Sequence, residues 1–163
     1  MINRFYRYLF LSMSLLFSPV YAGGNAQNSI LEFRVEQDFD TAYKALYEAL
    51  EEARFYVIFE ANIGKNLARN ARRWGENYNR NGLEHMKSMV ICNPWYANAV
   101  LNLDPGFMSM CPLTVGVVHK QGITSVYFKR LDELSAGSEA ADLLWEIENT
   151  IISAIESVAP AVE

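Results

Sequence analysis

The sequence is poor in the residues on which metal centres, disulfide scaffolds and most hydrolases depend. Its 163 residues include only two cysteines, two histidines and five prolines. It has no nucleophile elbow, P-loop, dinucleotide-binding fingerprint, HExxH motif or CxxC pair. These absences argue against the commonest hydrolase, nucleotide-binding and zinc-peptidase classes. We therefore expect a binding protein rather than an enzyme.

An excess of positive charge is also missing. The net charge is −5, which does not favour a nucleic acid as the partner. Hydrophobic residues make up 51% of the chain and charged residues 20%, as is ordinary for globular proteins. A chain of this length indicates one domain, with a core large enough to need no metal and no set of disulfides.

Apart from the N-terminus, the chain has no apolar stretch long enough to span a membrane. There, Arg4 and Arg7 precede a short apolar stretch at 9–17, and Val20-Tyr21-Ala22 resembles a cleavage site. The stretch is shorter than the about 20 residues that cross a bilayer. We predict a signal peptide at 1–22, a flexible leader at 23–28 and a single domain at 29–160, exported to the periplasm. The alternative is an uncleaved membrane anchor.

Hydrophobic periodicity in the mature chain predicts the order β-α-β-α-β-α-β-β-α. We expect Asp40 and Ser138 to cap the first and last helices, and Glu146 and Glu148 to be solvated. The fold class predicted is α+β, a mostly antiparallel sheet of about five strands with helices on one face. The predicted strands are 31–36, 55–59, 85–92, 113–119 and 123–129, and the two middle helices are 62–74 and 94–103.

Several of these features together resemble a known family. They are the strand ending Cys92-Asn93-Pro94, the strand opening Cys111-Pro112-Leu113 with its valines, and the hairpin at Gly122. Over roughly residues 29–134 the chain resembles the DUF302 family of small α+β domains. The resemblance implies a curved antiparallel sheet similar to that of the TATA-binding protein, and a tendency to form a homodimer. It implies no activity, and the two cysteines are not part of the family's general pattern.

Cys92 and Cys111 are the first candidate site. If strands 85–92 and 113–119 are antiparallel neighbours, the end of one lies beside the start of the other, and the two sulfurs come close. In an oxidising compartment such a pair forms a disulfide. A reactive or metal-ligating thiol pair and two unpaired buried thiols are the alternatives.

Other candidate metal ligands lie nearby in the sequence. Met108 and Met110 flank Cys111, and thioether with thiolate suits Cu(I), although methionine is also a common core residue. His85 and His119 fall at the same end of the sheet if their strands are neighbours, where they could ligate a metal or haem. The alternative is a pair of partly exposed histidines at strand ends.

A basic segment stands out against the acidic remainder of the chain. Residues 62–82 contain five basic groups and one acid, Glu76. Such a face suits an anion, an acidic partner or a phospholipid head group, and the alternative is a solvated surface. The residues assigned to this anion-binding rim are Lys65, Arg69, Arg72 and Arg73.

Together these features predict a periplasmic binding module for a small ligand or soft metal, with copper or haem as the cofactors considered. The candidate site is the cysteine pair with the two methionines, bordered by the basic rim. One alternative is a thiol-redox protein that uses Cys92 and Cys111 as a reversible pair. Another is a structural dimer, or a partner-binding one, with one disulfide.

Overall fold

The structure, a computed structural model, describes residues 29–159. The predicted signal peptide and leader, at 1–28, lie outside the described residues, and so do 160–163. No helix among residues 29–159 is long and apolar enough to cross a membrane.

Five strands form one open sheet in which every neighbouring pair is antiparallel. Their order across the sheet is β1-β5-β4-β3-β2, so β1 and β2 are the two edges. The α+β class with a five-stranded antiparallel sheet is thereby confirmed. The strands are β1 Ile30–Val35, β2 Tyr56–Asn62, β3 His85–Cys92, β4 Leu113–Lys120 and β5 Ile123–Lys129.

The helices connect and cover these strands. Two 3₁₀ segments, Gly75–Asn77 and Pro105–Met110, accompany them. The helices are α1 Phe39–Glu52, α2 Ile63–Ala68, α3 Ala71–Trp74, α4 Pro94–Leu103, α5 Asp132–Ser135 and α6 Ala141–Glu156.

Alternation along the strands explains why one face of the sheet is buried. On β4, Val115 and Val117 are fully buried, whereas the alternate positions Thr114, Gly116 and Val118 lie on the opposite face. Leu46 of α1 and Ile151 of α6 are fully buried in the same hydrophobic core. The core therefore lies between one sheet face and the two long helices.

The β4–β5 connection is a hairpin, as the sequence predicts, but two residues form its turn where the predicted strands leave three. Lys120 pairs with Ile123, and Gln121 and Gly122 both adopt positive φ, 52° and 81°. Two consecutive residues of positive φ are typical of the tight turns that match strand twist, which is why glycine stands at the second position.

Three predicted boundaries are wrong. The first helix is capped by Asp38, not Asp40, because the Asp38 carboxylate accepts a hydrogen bond from the backbone N–H of Thr41 at 3.0 Å. The last helix begins at Ala141 and has no side-chain cap. The Ser138 hydroxyl donates to Asp104 and accepts from the backbone N–H of Ala140, which precedes the helix. The helix expected at 62–74 is divided between α2 and α3, with Arg69 and Asn70 outside both.

The carboxylate of Glu148 is buried, contrary to the expectation that it is solvated. Only 3% of the residue is exposed. The carboxylate accepts hydrogen bonds from the backbone N–H groups of Leu131 and Asp132, and it faces the Arg130 guanidinium at 3.7 Å. It therefore fastens the start of α5 to α6, a role that spacing within α6 does not reveal.

We expect Glu148→Ala to lower the free energy of unfolding by about 2 kcal/mol, because two backbone N–H groups lose their acceptor. Urea denaturation measures this change, with Glu156→Ala on the exposed side of the same helix as the control. Equal stability of the two variants would contradict this role.

Candidate functional site

The two cysteines meet at one end of the sheet. Cys92 is the last residue of β3, and Cys111 lies two residues before β4. Because Ile91 pairs with Leu113, the antiparallel register brings the two positions side by side. Both thiols line the same cavity, and Cys111 lies close enough to Cys92 to raise its pKa. Both are free thiols, so the expected disulfide is not present in the structure.

A small apolar cavity of about 50 Å³ lies against this thiol pair. That volume exceeds the ~10–15 Å³ that a single water needs. Its wall is almost entirely hydrophobic, and it combines the ends of β3 and β4 with side chains from α4 and α6. The lining residues include Phe55, Ile91, Cys92, Tyr96, Val100, Phe107, Met110, Cys111, Leu113, Leu144 and Ile147.

Local capping fixes α4 directly behind Cys92. The Asn93 side-chain oxygen accepts from the backbone N–H groups of Trp95 and Tyr96 at 3.0 and 3.1 Å. Pro94 occupies the first turn, where its missing N–H costs nothing. As a result, α4 starts at once after β3 and turns Tyr96 and Val100 towards the cavity.

Asp104 holds the segment that carries Met110. Its carboxylate accepts from the backbone N–H of Gly106 at 2.9 Å and from the Ser138 hydroxyl at 2.8 Å. A Cβ at Gly106 would lie 3.0 Å from the same carboxylate, so a larger residue there would crowd it. The Pro105–Met110 segment is thus tied to the region before α6.

Of the two methionines predicted as ligands, only one reaches the cavity. Met110 lines it beside Cys111. Met108 is 61% exposed and is not among the lining residues. The structure therefore gathers two thiols and one thioether.

Burial raises the pKa of the Cys92 thiol, and the neighbouring Cys111 raises it further. A proton on Cys92 is favoured because a thiolate in apolar surroundings lacks solvation and an opposite charge. Cys92 is therefore poorly suited to act as a ready nucleophile at neutral pH.

The two histidines are brought together, but far from the sulfur ligands. His85 pairs directly with His119 across β3 and β4, and their ring centroids are 5.9 Å apart. Within β3, His85 and Cys92 are seven residues apart, or about 23 Å at the rise of a strand. A single metal site cannot contain both groups.

The His119 ring is held in place by a chain of hydrogen bonds. The Thr124 hydroxyl donates to the backbone oxygen of Gln37 at 3.0 Å, so it accepts from His119 Nδ1 at 2.8 Å. Glu84 lies 3.6 Å from Nε2. Among residues 29–159 no group of three or more His, Cys, Asp or Glu side chains is arranged to hold a metal ion. Metal or haem ligation by the two histidines stays a prediction.

The basic rim lies at the opposite end of the sheet from the cysteines. Tyr56 at the start of β2 pairs with Cys92, whereas Asn62 at its end pairs with Lys87. These positions on β3 are about 16 Å apart at the rise of a strand. None of the four predicted rim residues lines the thiol cavity. They are Lys65, Arg69, Arg72 and Arg73, which follow β2, and anion binding by them stays a prediction.

Sequence reasoning missed the aromatic walls of the cavity. Phe55 and Tyr96 stack with ring centroids 5.8 Å apart. The spacing of Tyr96 and Val100 on α4 could have indicated that this face of the helix points inward. Phe55 precedes β2 directly, and its role depends on the tertiary packing of α4.

The fold and site define a small α+β domain with an open antiparallel sheet and a thiol-lined apolar cavity at one sheet end. The family described as "Domain of unknown function DUF302" matches residues 31–158, and the chain belongs to this family. No curated protein matches the chain.

A solved structure shares the fold. It is the crystal structure of uncharacterized conserved protein DUF302 from Bacillus stearothermophilus, with a TM-score of 0.66 and 18% sequence identity. The match covers 80% of this chain and 98% of that chain. Homodimerisation stays a prediction.

We expect the rate at which iodoacetamide modifies Cys92 to rise at a higher pH than for a free cysteine, because burial and Cys111 both disfavour the thiolate. In Cys111→Ala, Cys92 remains buried but loses the neighbouring thiol. The pH at the midpoint of its rate curve therefore falls but stays above that of a free cysteine. Intact mass across neutral to alkaline pH measures the rates, and fragment ions locate the adduct. A wild-type midpoint below that of a free cysteine would contradict the prediction.

Proposed function

We propose that the protein is a non-enzymatic binding module for a soft monovalent metal ion of the Cu(I) type, held by Cys92, Cys111 and Met110. The observation that carries the proposal is that Cys92, Cys111 and Met110 line the wall of one cavity. Thiolate and thioether sulfurs are the ligands that such ions prefer.

The chemistry of the wall supports a soft ion over a hard one. Of the lining residues, Asn93 alone has an amide, and Tyr96 alone has a hydroxyl. Calcium and magnesium require several oxygen ligands, which this wall does not offer. A metal that binds sulfur strongly can displace the thiol protons, and its charge then offsets the cost of burying the thiolates.

The same placement favours one second function, a reversible thiol–disulfide pair. Two cysteines on the wall of one cavity are candidates for oxidation to a disulfide in an oxidising compartment. The raised pKa of Cys92 weighs against a fast redox catalyst, because reactive thiols have lowered pKa values. For this reason we place metal binding first.

We further propose that the protein acts in the periplasm. The support is the N-terminal pattern of Arg4 and Arg7, a short apolar stretch and Val20-Tyr21-Ala22, which lies outside the described residues. Export would place the module where free copper ions meet few competing thiols.

We expect the reduced protein to bind about one equivalent of Cu(I), and Cys92→Ser or Cys111→Ser to weaken that binding at least about 100-fold because a charged soft ligand is lost. Met110→Leu should weaken it about tenfold, since a neutral thioether contributes less. Anaerobic competition with a chromophoric Cu(I) chelator measures these affinities.

Met108→Leu is the matched control, because Met108 is exposed and does not line the cavity. It should bind as the wild type does. Circular dichroism checks that each variant is folded. If Met108→Leu and Met110→Leu weaken binding equally, the cavity is not the site. If the purified protein holds no metal, resists alkylation and is two hydrogens lighter, the disulfide function replaces metal binding.

A further inference from the structure

Edge strand β2 and the segment after it expose an unusual number of large apolar side chains. Ile58 and Phe59 are 59% and 62% exposed, and Ile63 and Trp74 are 39% and 40% exposed. None of the residues in α2 or α3 is buried. Large apolar side chains that stay in water over a continuous stretch of chain mark a surface with a partner.

Five cations accompany these apolar side chains. They are exposed, and none of them makes an ion pair within the described part of the chain. Only one acidic residue, Glu76, lies among them, although the whole chain carries a net charge of −5. We call the four apolar residues and these five cations the β2–α3 surface. The cations are Lys65, Arg69, Arg72, Arg73 and Arg80.

Strand β2 and the start of α2 contribute to one side of the molecule. Phe59 pairs with Val90, on the sheet face opposite to the buried Met89. A Cβ at Gly64 of α2 would lie 3.6–3.7 Å from side-chain atoms of Met86, which alternation places on that same face. The start of α2 therefore adjoins the face that α1 and α6 leave uncovered.

The cations and the exposed apolar side chains together favour an anionic bilayer over a small soluble anion as the partner. A small soluble anion would use the cations alone and would gain nothing from Ile58 and Phe59. An anionic bilayer uses both, because its head groups attract cations and its interface accepts aromatic and aliphatic side chains. Trp74 fits this partner because tryptophan is enriched at membrane–water interfaces.

We propose that the β2–α3 surface docks the protein on an anionic phospholipid bilayer. The cations bind the head groups, and Phe59, Ile58 and Trp74 enter the interface. This inference is independent of the thiol cavity, which lies at the other end of β3.

The test uses the chain from Gly23 onwards, so that the predicted signal peptide cannot itself bind lipid, and circular dichroism checks first that this chain is folded. Co-sedimentation with vesicles of phosphatidylethanolamine and phosphatidylglycerol should show binding, and vesicles of phosphatidylethanolamine and phosphatidylcholine should not. About 0.5 M NaCl should release the protein, because it screens exposed charges.

Two double variants with the same change in net charge locate the surface. Arg69→Glu/Arg72→Glu should weaken vesicle binding at least about tenfold. Lys120→Glu/Lys129→Glu, at exposed positions on β4 and β5, should leave it within about twofold, since only general attraction changes. Phe59→Ser should weaken binding and reduce the blue shift of tryptophan fluorescence on vesicles.

An equal loss of vesicle binding in the two double variants would overturn the proposal, because it would show that only the net charge of the protein attracts it to the vesicles. Binding to both kinds of vesicle would overturn it as well. The proposal would also be overturned if a soluble acidic polymer such as polyglutamate bound as tightly as the vesicles and Phe59→Ser bound that polymer as the wild type does. Circular dichroism confirms that each variant is folded before its result is read.

Discussion

The antiparallel pairing of β3 with β4 is the constraint on which the arrangement of the molecule depends. Its register sets His85 opposite His119 at one end and Ile91 opposite Leu113 at the other. Both strands are central, and each presents fully buried side chains to the core, such as Met89 and Val115. A slip of one residue would turn those side chains towards the uncovered face, so the core itself holds the register.

This register gives the two ends of the sheet different chemistry. At one end it joins two thiols beneath α4, where Asn93 starts the helix and Asp104 ties down the segment that carries Met110. At the other end it joins two histidines, while the chain leaves β2 towards the basic segment. The thiol cavity and the β2–α3 surface are thus separate, and a protein docked through one leaves the other accessible.

The sequence predicts features that depend on residues close together in the chain, and it does not predict those that depend on tertiary structure. The pairing of β4 with β5 follows from valine alternation and a Gly turn. From the sequence, the pairing of β3 with β4 is only the condition for Cys92 and Cys111 to lie close together, and the structure has this pairing. The place of the basic segment could not be predicted, because it depends on the direction of edge strand β2. The burial of Glu148 depends on the start of α5, a helix that sequence periodicity did not indicate.

The central claim is that the two thiols and Met110 form one soft-metal site, and X-ray absorption at the copper edge of the Cu(I)-loaded protein tests it most directly. Our account predicts a copper ion surrounded by two or three sulfur atoms, with no nitrogen, and the loss of one sulfur in Met110→Leu. Histidine nitrogen in the coordination shell would contradict it, because His85 and His119 lie at the other end of the sheet. So would oxygen as the main ligand.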